Sequence, residues 1–105
     1  ITISKGMDYT DELPAKVSDI FQFIINEYPR FYDNLSEIII ENERWIFFCD
    51  SNTRVFTTSD NLFTQLNILK YFEKTVYPRR ELDDYLYIDL RVEEQVVVKE
   101  KNRKG

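Results

Sequence analysis

Apolar residues recur with the period of an α-helix near the start of the chain. Between residues 11 and 28 they fall at positions i, i+4, i+7, i+8, i+11, i+12 and i+15 and form one face, made of Leu13, Val17, Ile20, Phe21, Ile24, Ile25 and Tyr28. Pro14 suits the first turn of such a helix, and Thr10 or Asp11 can cap it. Because Pro29 disfavours helical geometry at the residue before it, the pattern predicts that the helix ends there.

A second helical pattern lies in the middle of the chain. Residues 62–77 carry a mostly apolar stripe that consists of Leu62, Leu66, Leu69, Phe72 or Glu73, and Val76. Thr58 or Ser59 can cap this helix, and Asp60 is favourable at its positive end. Pro78 stops the pattern, so we expect a second helix that ends near Tyr77.

Three apolar runs between the two helices predict strands. Residues 36–41 and 44–49 read as a hairpin around Asn42 and Glu43, and residues 54–57 extend it to a three-stranded meander. The strands of the hairpin are apolar on both faces. Strands of this kind are usually central in a covered sheet.

The last third of the chain predicts a second hairpin. Residues 85–92 alternate cleanly between apolar and polar positions, and an apolar run at residues 96–98, followed by Lys99, comes after them. The alternation assigns Leu86, Ile88, Leu90 and Val92 to one face, and Tyr85, Tyr87, Asp89 and Arg91 to the other. Since the second strand is the last regular element, it can lie at an open edge of the sheet, where another chain can add a strand.

The length of the turn decides which face the final valines join. A turn at residues 93–94 would place Val96 and Val98 on the face of Arg91, whereas a turn at residues 93–95 returns both valines to the apolar face. We favour the longer turn because it keeps the apolar side chains together and leaves the residues between them facing outward. The cross-strand pairs that it predicts are Val92 with Val96, Leu90 with Val98, and Asp89 with Lys99.

With a short strand at residues 1–4, the element order becomes β-α-β-β-β-α-β-β. This order predicts an α+β fold, with two helices packed on a mixed sheet that is rich in antiparallel pairs. The length of 105 residues fits one domain. We assign residues 1–100 to this domain and residues 101–105 to a basic, solvated and disordered tail.

The composition of the chain argues against several classes of function. The net charge of −5 argues against general nucleic-acid binding, although the last seven residues carry four basic side chains against Glu100. The chain has no histidine, the most frequent general acid or base, and its one cysteine, Cys49, lies inside an apolar run. Two glycines are too few for a glycine-rich phosphate loop. We therefore predict a protein that is not an enzyme and has no metal or other cofactor.

Several segments resemble the bacterial cell-division proteins FtsQ and DivIB. The specific block is Ile-Asp-Leu-Arg at residues 88–91, followed by Gln-Val-Val-Val-Lys at residues 95–99. Residues 3–6, 35–38 and 50–57 resemble, in order, a strand with a glycine, a strand start, and a turn with a short strand. The resemblance covers nearly the whole chain and implies the extracytoplasmic C-terminal β domain of that family.

The resemblance implies a location and a function. Members of the family have one transmembrane helix and a POTRA-type domain before the β domain, which lies on the periplasmic side of the inner membrane. They are non-enzymatic scaffolds of the division machinery in septum formation. They recruit FtsB, which pairs with FtsL, and contact other division proteins. Because the chain starts at Ile1 rather than Met, we expect a fragment whose anchor precedes it.

The resemblance also implies a contact region, in which a strand of FtsB adds to the last strand. By position, the contact comprises Arg91, Val92, Glu94, Gln95, Val96, Val97, Val98 and Lys99, with Arg91 pairing with an acidic residue of FtsB. Many relatives carry an aromatic residue at the position of Val92 and small residues in the turn. The chain departs from the family pattern there.

Main-chain hydrogen bonds alone are too weak for such a complex. About six residues of added strand give four to six bonds at ~0.5–1.5 kcal/mol each, against an association cost of ~4–15 kcal/mol. Side-chain anchors such as Tyr85, Tyr87 and Val97, and co-anchoring of both partners in one membrane, are expected to add the remainder. The alternatives are another envelope-assembly adaptor, such as a POTRA-like module that binds peptides at a sheet edge, and small-molecule or lipid binding between helices and sheet.

Overall fold

In a computed structural model, which describes residues 2–5 and 13–102 and side chains from residue 15 onward, the chain forms a mixed six-stranded sheet. The strands follow one another across the sheet in chain order. They are β1 (Thr2–Lys5), β2 (Leu35–Glu41), β3 (Arg44–Cys49), β4 (Arg54–Thr58), β5 (Tyr85–Asp89) and β6 (Val97–Glu100). The predicted α+β class, with helices packed on an antiparallel-rich mixed sheet, is confirmed.

Three α-helices accompany this sheet in the described ranges: α1 (Leu13–Glu27), α2 (Pro29–Asn34) and α3 (Leu62–Val76). The short helix α2 was not predicted. Pro29 does end the preceding helix, but it also occupies the first turn of the next one. Proline is well suited to that position, because its missing N–H would be unbonded there in any case.

The topology explains why the helices lie on one face. β1 pairs in parallel with β2 through α1 and α2, and β4 pairs in parallel with β5 through α3. The strands β2, β3 and β4 form the predicted antiparallel meander, so both crossovers run in the same direction across the sheet. Right-handed crossovers in the same direction place their helices on the same face.

The core fills the space between this face and the helices. Both predicted helical stripes are confirmed in their main positions, since Ile20 and Ile24 of α1 and Leu66 and Leu69 of α3 are fully buried. Ile25 is the exception on α1, where 46% of its surface is exposed. The strands contribute alternate residues to the same cluster, among them Ile38, Ile40, Trp45, Phe47, Cys49, Val55, Ile88 and Leu90.

Tight turns and local hydrogen bonds fix the ends of these elements. Asn42 adopts a positive φ of 54° in the predicted two-residue hairpin turn, where asparagine tolerates this conformation better than most residues. At the start of α3, the predicted side-chain cap from Thr58 or Ser59 is replaced by another contact. The amide of Gln65 accepts from the Thr58 N–H at 2.8 Å and donates to the Thr58 hydroxyl at 3.0 Å. The predicted caps at Thr10 and Asp11 lie outside the described residues.

Buried polar groups are paired within this core. Glu73 of α3 is 7% exposed and accepts hydrogen bonds from the Tyr28 hydroxyl and from Arg30 Nε, the latter at 2.9 Å. Burial, followed by the hydrogen bond to Glu73, raises the pKa of Tyr28 far above its ordinary value. Burial and the nearby Asp83 carboxylate raise the pKa of the Cys49 thiol to about 12, so this thiol stays protonated at neutral pH.

Lys101, near the end of the described residues, is hydrogen-bonded to the domain. Lys101, which the charge pattern assigns to a solvated tail, donates its backbone N–H to the Asp84 carbonyl at 2.9 Å. Its ammonium group donates to the Ser51 carbonyl, also at 2.9 Å. Residues 103–105 lie outside the described part of the chain. Among the helices that are described, none has the length and apolar character needed to cross a bilayer.

Candidate partner-binding edge

The last strand lies at one end of the sheet. Within the described residues β6 pairs with β5 alone, through Tyr87 with Lys99, Ile88 with Val98, and Asp89 with Val97. The predicted edge position is therefore confirmed. The predicted pairs are wrong by two residues, although Val98 still joins the face of Ile88.

A longer loop causes this shift in register. The backbone N–H of Arg91 donates to Asp89 Oδ1 at 2.9 Å, so the side chain of Asp89 takes a donor that could have continued the ladder. The chain then turns at residues 92–95, where the Gln95 N–H donates to the Val92 carbonyl at 3.1 Å and Glu94 adopts a φ of 60°. As a result, Val92 is 43% exposed instead of facing the core.

A β-bulge changes the start of β5 as well. The pairing with β6 shifts between Tyr85 and Tyr87, and a bulge reverses the alternation of side chains. Tyr85 therefore faces the helices, where it is 4% exposed and packs on Phe72 with ring centroids 5.5 Å apart. Leu86 is 44% exposed. The prediction that Tyr85 lies beside Tyr87 as a partner contact is wrong for this reason.

The direction of the backbone groups along β6 follows from its neighbours. The Leu90 N–H donates to the Phe56 carbonyl of β4 at 3.0 Å, so the backbone groups of Ile88, two residues before it, also point to β4. Tyr87 and Asp89 must then bond to β6, and they do so opposite Lys99 and Val97. The Lys101 N–H, which donates inward to Asp84, continues this alternation.

The backbone of Val98 consequently points away from the sheet. Glu100, two residues further along β6, has the same orientation. Within β6 the edge thus offers two N–H and two C=O groups, enough for about four hydrogen bonds to an added strand. No described segment covers Val98, whose residue surface is 36% exposed.

The face of the sheet opposite the helices carries an apolar stripe that leads to this edge. The cross-strand pairs align alternate residues of β2 to β5 on this open face, namely Ile39, Ile46, Phe48, Phe56 and Tyr87. None of the described helices packs on them, in contrast to the two-sided cover that the apolar pattern predicted. Neighbouring side chains shield the stripe instead, since Arg54 lies over Phe48 and Arg91 over Phe56 at 5.7 and 5.0 Å.

Arg91 is held in place by Asp89. Its Nε and Nη2 atoms donate to the two carboxylate oxygens of Asp89 at 2.9 and 2.8 Å. These hydrogen bonds lower the pKa of Asp89 and raise the pKa of Arg91. The bidentate pair orients the guanidinium group while Nη1 makes no hydrogen bond to another described residue, so Arg91 retains a donor for an incoming carboxylate.

We expect the Asp89→Asn variant to lose part of the acid sensitivity of the fold. Because the folded-state pKa of Asp89 is lowered, the pair with Arg91 contributes stability above the unfolded-state pKa of about 3.9. That contribution disappears as the pH falls through the folded-state pKa. Urea unfolding of both proteins between neutral pH and about pH 2 tests this. Parallel pH dependences for the two proteins would contradict it.

The structure separates the sequence-predicted contact residues into three groups. Tyr87, Arg91, Val97 and Lys99 share the open face or its margin, where Asp89 lies between them. Val96 packs partly on the core and Val98 stands half-exposed on the helix side of the edge, so the prediction that Val98 is buried is wrong. Val92, Glu94 and Gln95 lie exposed in the loop.

Sequence reasoning missed the aromatic part of this surface. Phe56 contacts Tyr87 edge-on, with centroids 6.1 Å apart, and supports Arg91. The alternation of residues 54–57 contained the signal, because it places Arg54 and Phe56 on one face.

In residues 2–5 and 13–102 no cluster of three or more metal-ligating side chains occurs. Comparison of the chain with protein-family models and with curated proteins finds no match in either case.

Proposed function

We propose that this domain is a non-enzymatic scaffold of the FtsQ and DivIB type that recruits FtsB, together with FtsL, by strand addition to β6. The proposal includes a position on the periplasmic side of the inner membrane, which the resemblance implies. The observation that carries it is the open edge at β6, whose central residue, Val98, directs its backbone groups outward. The Ile-Asp-Leu-Arg block at residues 88–91 supports the identity of the partner.

The energetics favour a contact that extends beyond the main chain. About four hydrogen bonds contribute ~2–6 kcal/mol, which reaches only the lower end of the association cost of ~4–15 kcal/mol. Side chains on the open face supply further contacts: Val97, 38% exposed, lies beside Asp89 at the margin, and Tyr87 follows one strand inward. Arg91, oriented by Asp89, fits an acidic residue of the partner.

Titration of the domain with a soluble FtsB–FtsL pair from the same organism tests the proposal. We expect saturable binding, and we expect Val97→Asp to abolish it, because a carboxylate would enter an apolar contact beside Asp89. Ile25→Asp is a matched control, since Ile25 is also an exposed apolar residue but lies on α1. Binding that survives Val97→Asp, or is lost equally in Ile25→Asp, would contradict the proposed contact.

The alternative is an envelope-assembly adaptor that uses the same edge for other peptides. Such an adaptor would bind extended peptides at β6 without binding FtsB–FtsL. The titration therefore separates the two proposals, because an intact, folded domain that does not bind FtsB–FtsL would exclude the first of them.

A further inference from the structure

A second concave surface lies away from the sheet edge, between the corner of α1 and α2 and one face of α3. It encloses a cavity of about 290 Å³. Tyr28 and Pro29 line it at the corner, and Lys70, Lys74 and Tyr77 line it from α3 and the residue that follows. The spacing of these last three residues places them on one face of the helix.

Internal contacts hold the walls of this cavity in position. Glu73 at its floor accepts hydrogen bonds from Tyr28 and from Arg30. The guanidinium group of Arg30 also lies over the ring of Tyr77, 5.0 Å from its centroid. The cavity is therefore pre-formed, which lowers the entropic cost of filling it.

The size and the charge of the cavity indicate its occupant. Its volume of about 290 Å³ falls at the lower limit of small-molecule sites, ~300–1,000 Å³, and suits one large side chain. Lys70 and Lys74 at the rim form no ion pair with any residue in the described ranges, whereas Arg30 is neutralised by Glu73. Glu27 is the remaining acidic residue of the lining. The rim is thus cationic on a chain whose net charge is −5.

We propose that this cavity is a docking pocket for an aromatic side chain flanked by acidic residues on a partner protein. The ring would pack against Tyr28, Pro29 and Tyr77, because aromatic rings anchored in pre-formed pockets dominate many protein interfaces. The flanking carboxylates would face Lys70 and Lys74. This pocket does not include β6, so the proposal does not depend on strand addition.

Two-dimensional NMR of the nitrogen-15-labelled domain with short peptides tests this inference. The probe is acetyl-Asp-Asp-Trp-Asp-Asp-amide, and the controls replace its Trp by Ala or its Asp residues by Lys. We expect the probe alone to shift the amide signals around Tyr28, Lys70 and Tyr77 in a saturable manner. Unchanged signals at millimolar probe, or shifts confined to other surfaces, would overturn the proposal.

Charge reversal supplies the second arm of the test. The double variant Lys70→Glu and Lys74→Glu should weaken probe binding about tenfold, while the variant Arg54→Glu and Lys99→Glu makes the same change of net charge on the open face and should not. If both variants weaken probe binding equally, the probe is attracted non-specifically by positive charge, and the proposed site is overturned. Val98→Pro at the sheet edge should leave probe binding unchanged, which separates this pocket from the proposed FtsB contact.

Discussion

Replacing Val98 by proline is expected to abolish binding of FtsB–FtsL while the domain stays folded. The backbone N–H of Val98 points away from β5, so proline removes a donor that only an added strand would use. Its ring also obstructs the approach of another backbone along the edge. We expect no detectable binding in calorimetric titration and nearly unchanged urea unfolding.

The matched variant is Val97→Pro, one residue away. The N–H of Val97 bonds to β5 opposite Asp89, so proline there breaks the sheet from within. We expect a clear loss of stability, of about 1–3 kcal/mol, because a ladder hydrogen bond is removed and its acceptor on β5 is left unpaired. If Val98→Pro binds FtsB–FtsL like the unmodified domain, or if it unfolds the domain as Val97→Pro does, the assignment of outward and inward backbone groups is wrong.

Replacing Glu73 by alanine is expected to cause one of the largest losses of stability in the domain. It leaves the buried Tyr28 hydroxyl without its acceptor, at a cost of about 1–3 kcal/mol, and removes packed side-chain atoms between α3 and the α1–α2 corner. The ion pair to Arg30 adds less, because 57% of the Arg30 side chain is exposed. We expect the free energy of unfolding to fall by about 2–4 kcal/mol.

Two conservative variants separate these contributions. Glu73→Gln keeps an acceptor for Tyr28 but removes the charge, so it should cost less than Glu73→Ala. Tyr28→Phe removes the hydroxyl and leaves the carboxylate with Arg30 as its partner. The double variant Glu73→Ala and Tyr28→Phe should lose less stability than the sum of the two single losses, since both substitutions remove the same hydrogen bond. Strict additivity in urea unfolding would contradict a coupled pair.

Most of the secondary structure could be predicted from the sequence, because the apolar periodicity and the positions of the prolines indicated the same helices and helix ends. The stripe from Leu62 to Val76 and the two-residue turn at Asn42 correspond closely to α3 and the first hairpin. The additional helix α2 escaped prediction because Pro29 was interpreted as an end, whereas its fixed φ also favours a beginning.

The terminal hairpin was less predictable, because single hydrogen bonds and a bulge decide its geometry. Periodicity alone cannot anticipate that Asp89 takes the N–H of Arg91, or that a bulge turns Tyr85 into the core. The face of Val96 and Val98 was predicted correctly, since a shift of two residues preserves the alternation. The exposure of Val98 was not predicted, because the exposure of a side chain at a sheet edge depends on how far the helices extend over it.

The pocket at the α1–α2 corner could not be predicted at all. It requires the position of α2, the side of α3 that meets it, and the stacking of Arg30 on Tyr77. In sequence the two sides of the pocket, residues 27–30 and residues 70–77, are at least 40 positions apart and share no pattern. The charge of Lys70 and Lys74 becomes informative only when both are seen beside an apolar cavity.

Amide hydrogen exchange along β6, followed by NMR with and without FtsB–FtsL, tests the central claim most directly. In the free domain we expect slow exchange at Val97 and Lys99, which bond to β5, and fast exchange at Val98 and Glu100. When the partner binds, strand addition predicts strong protection of Val98 and Glu100. Saturating binding that leaves the Val98 amide as unprotected as in the free domain would contradict the account.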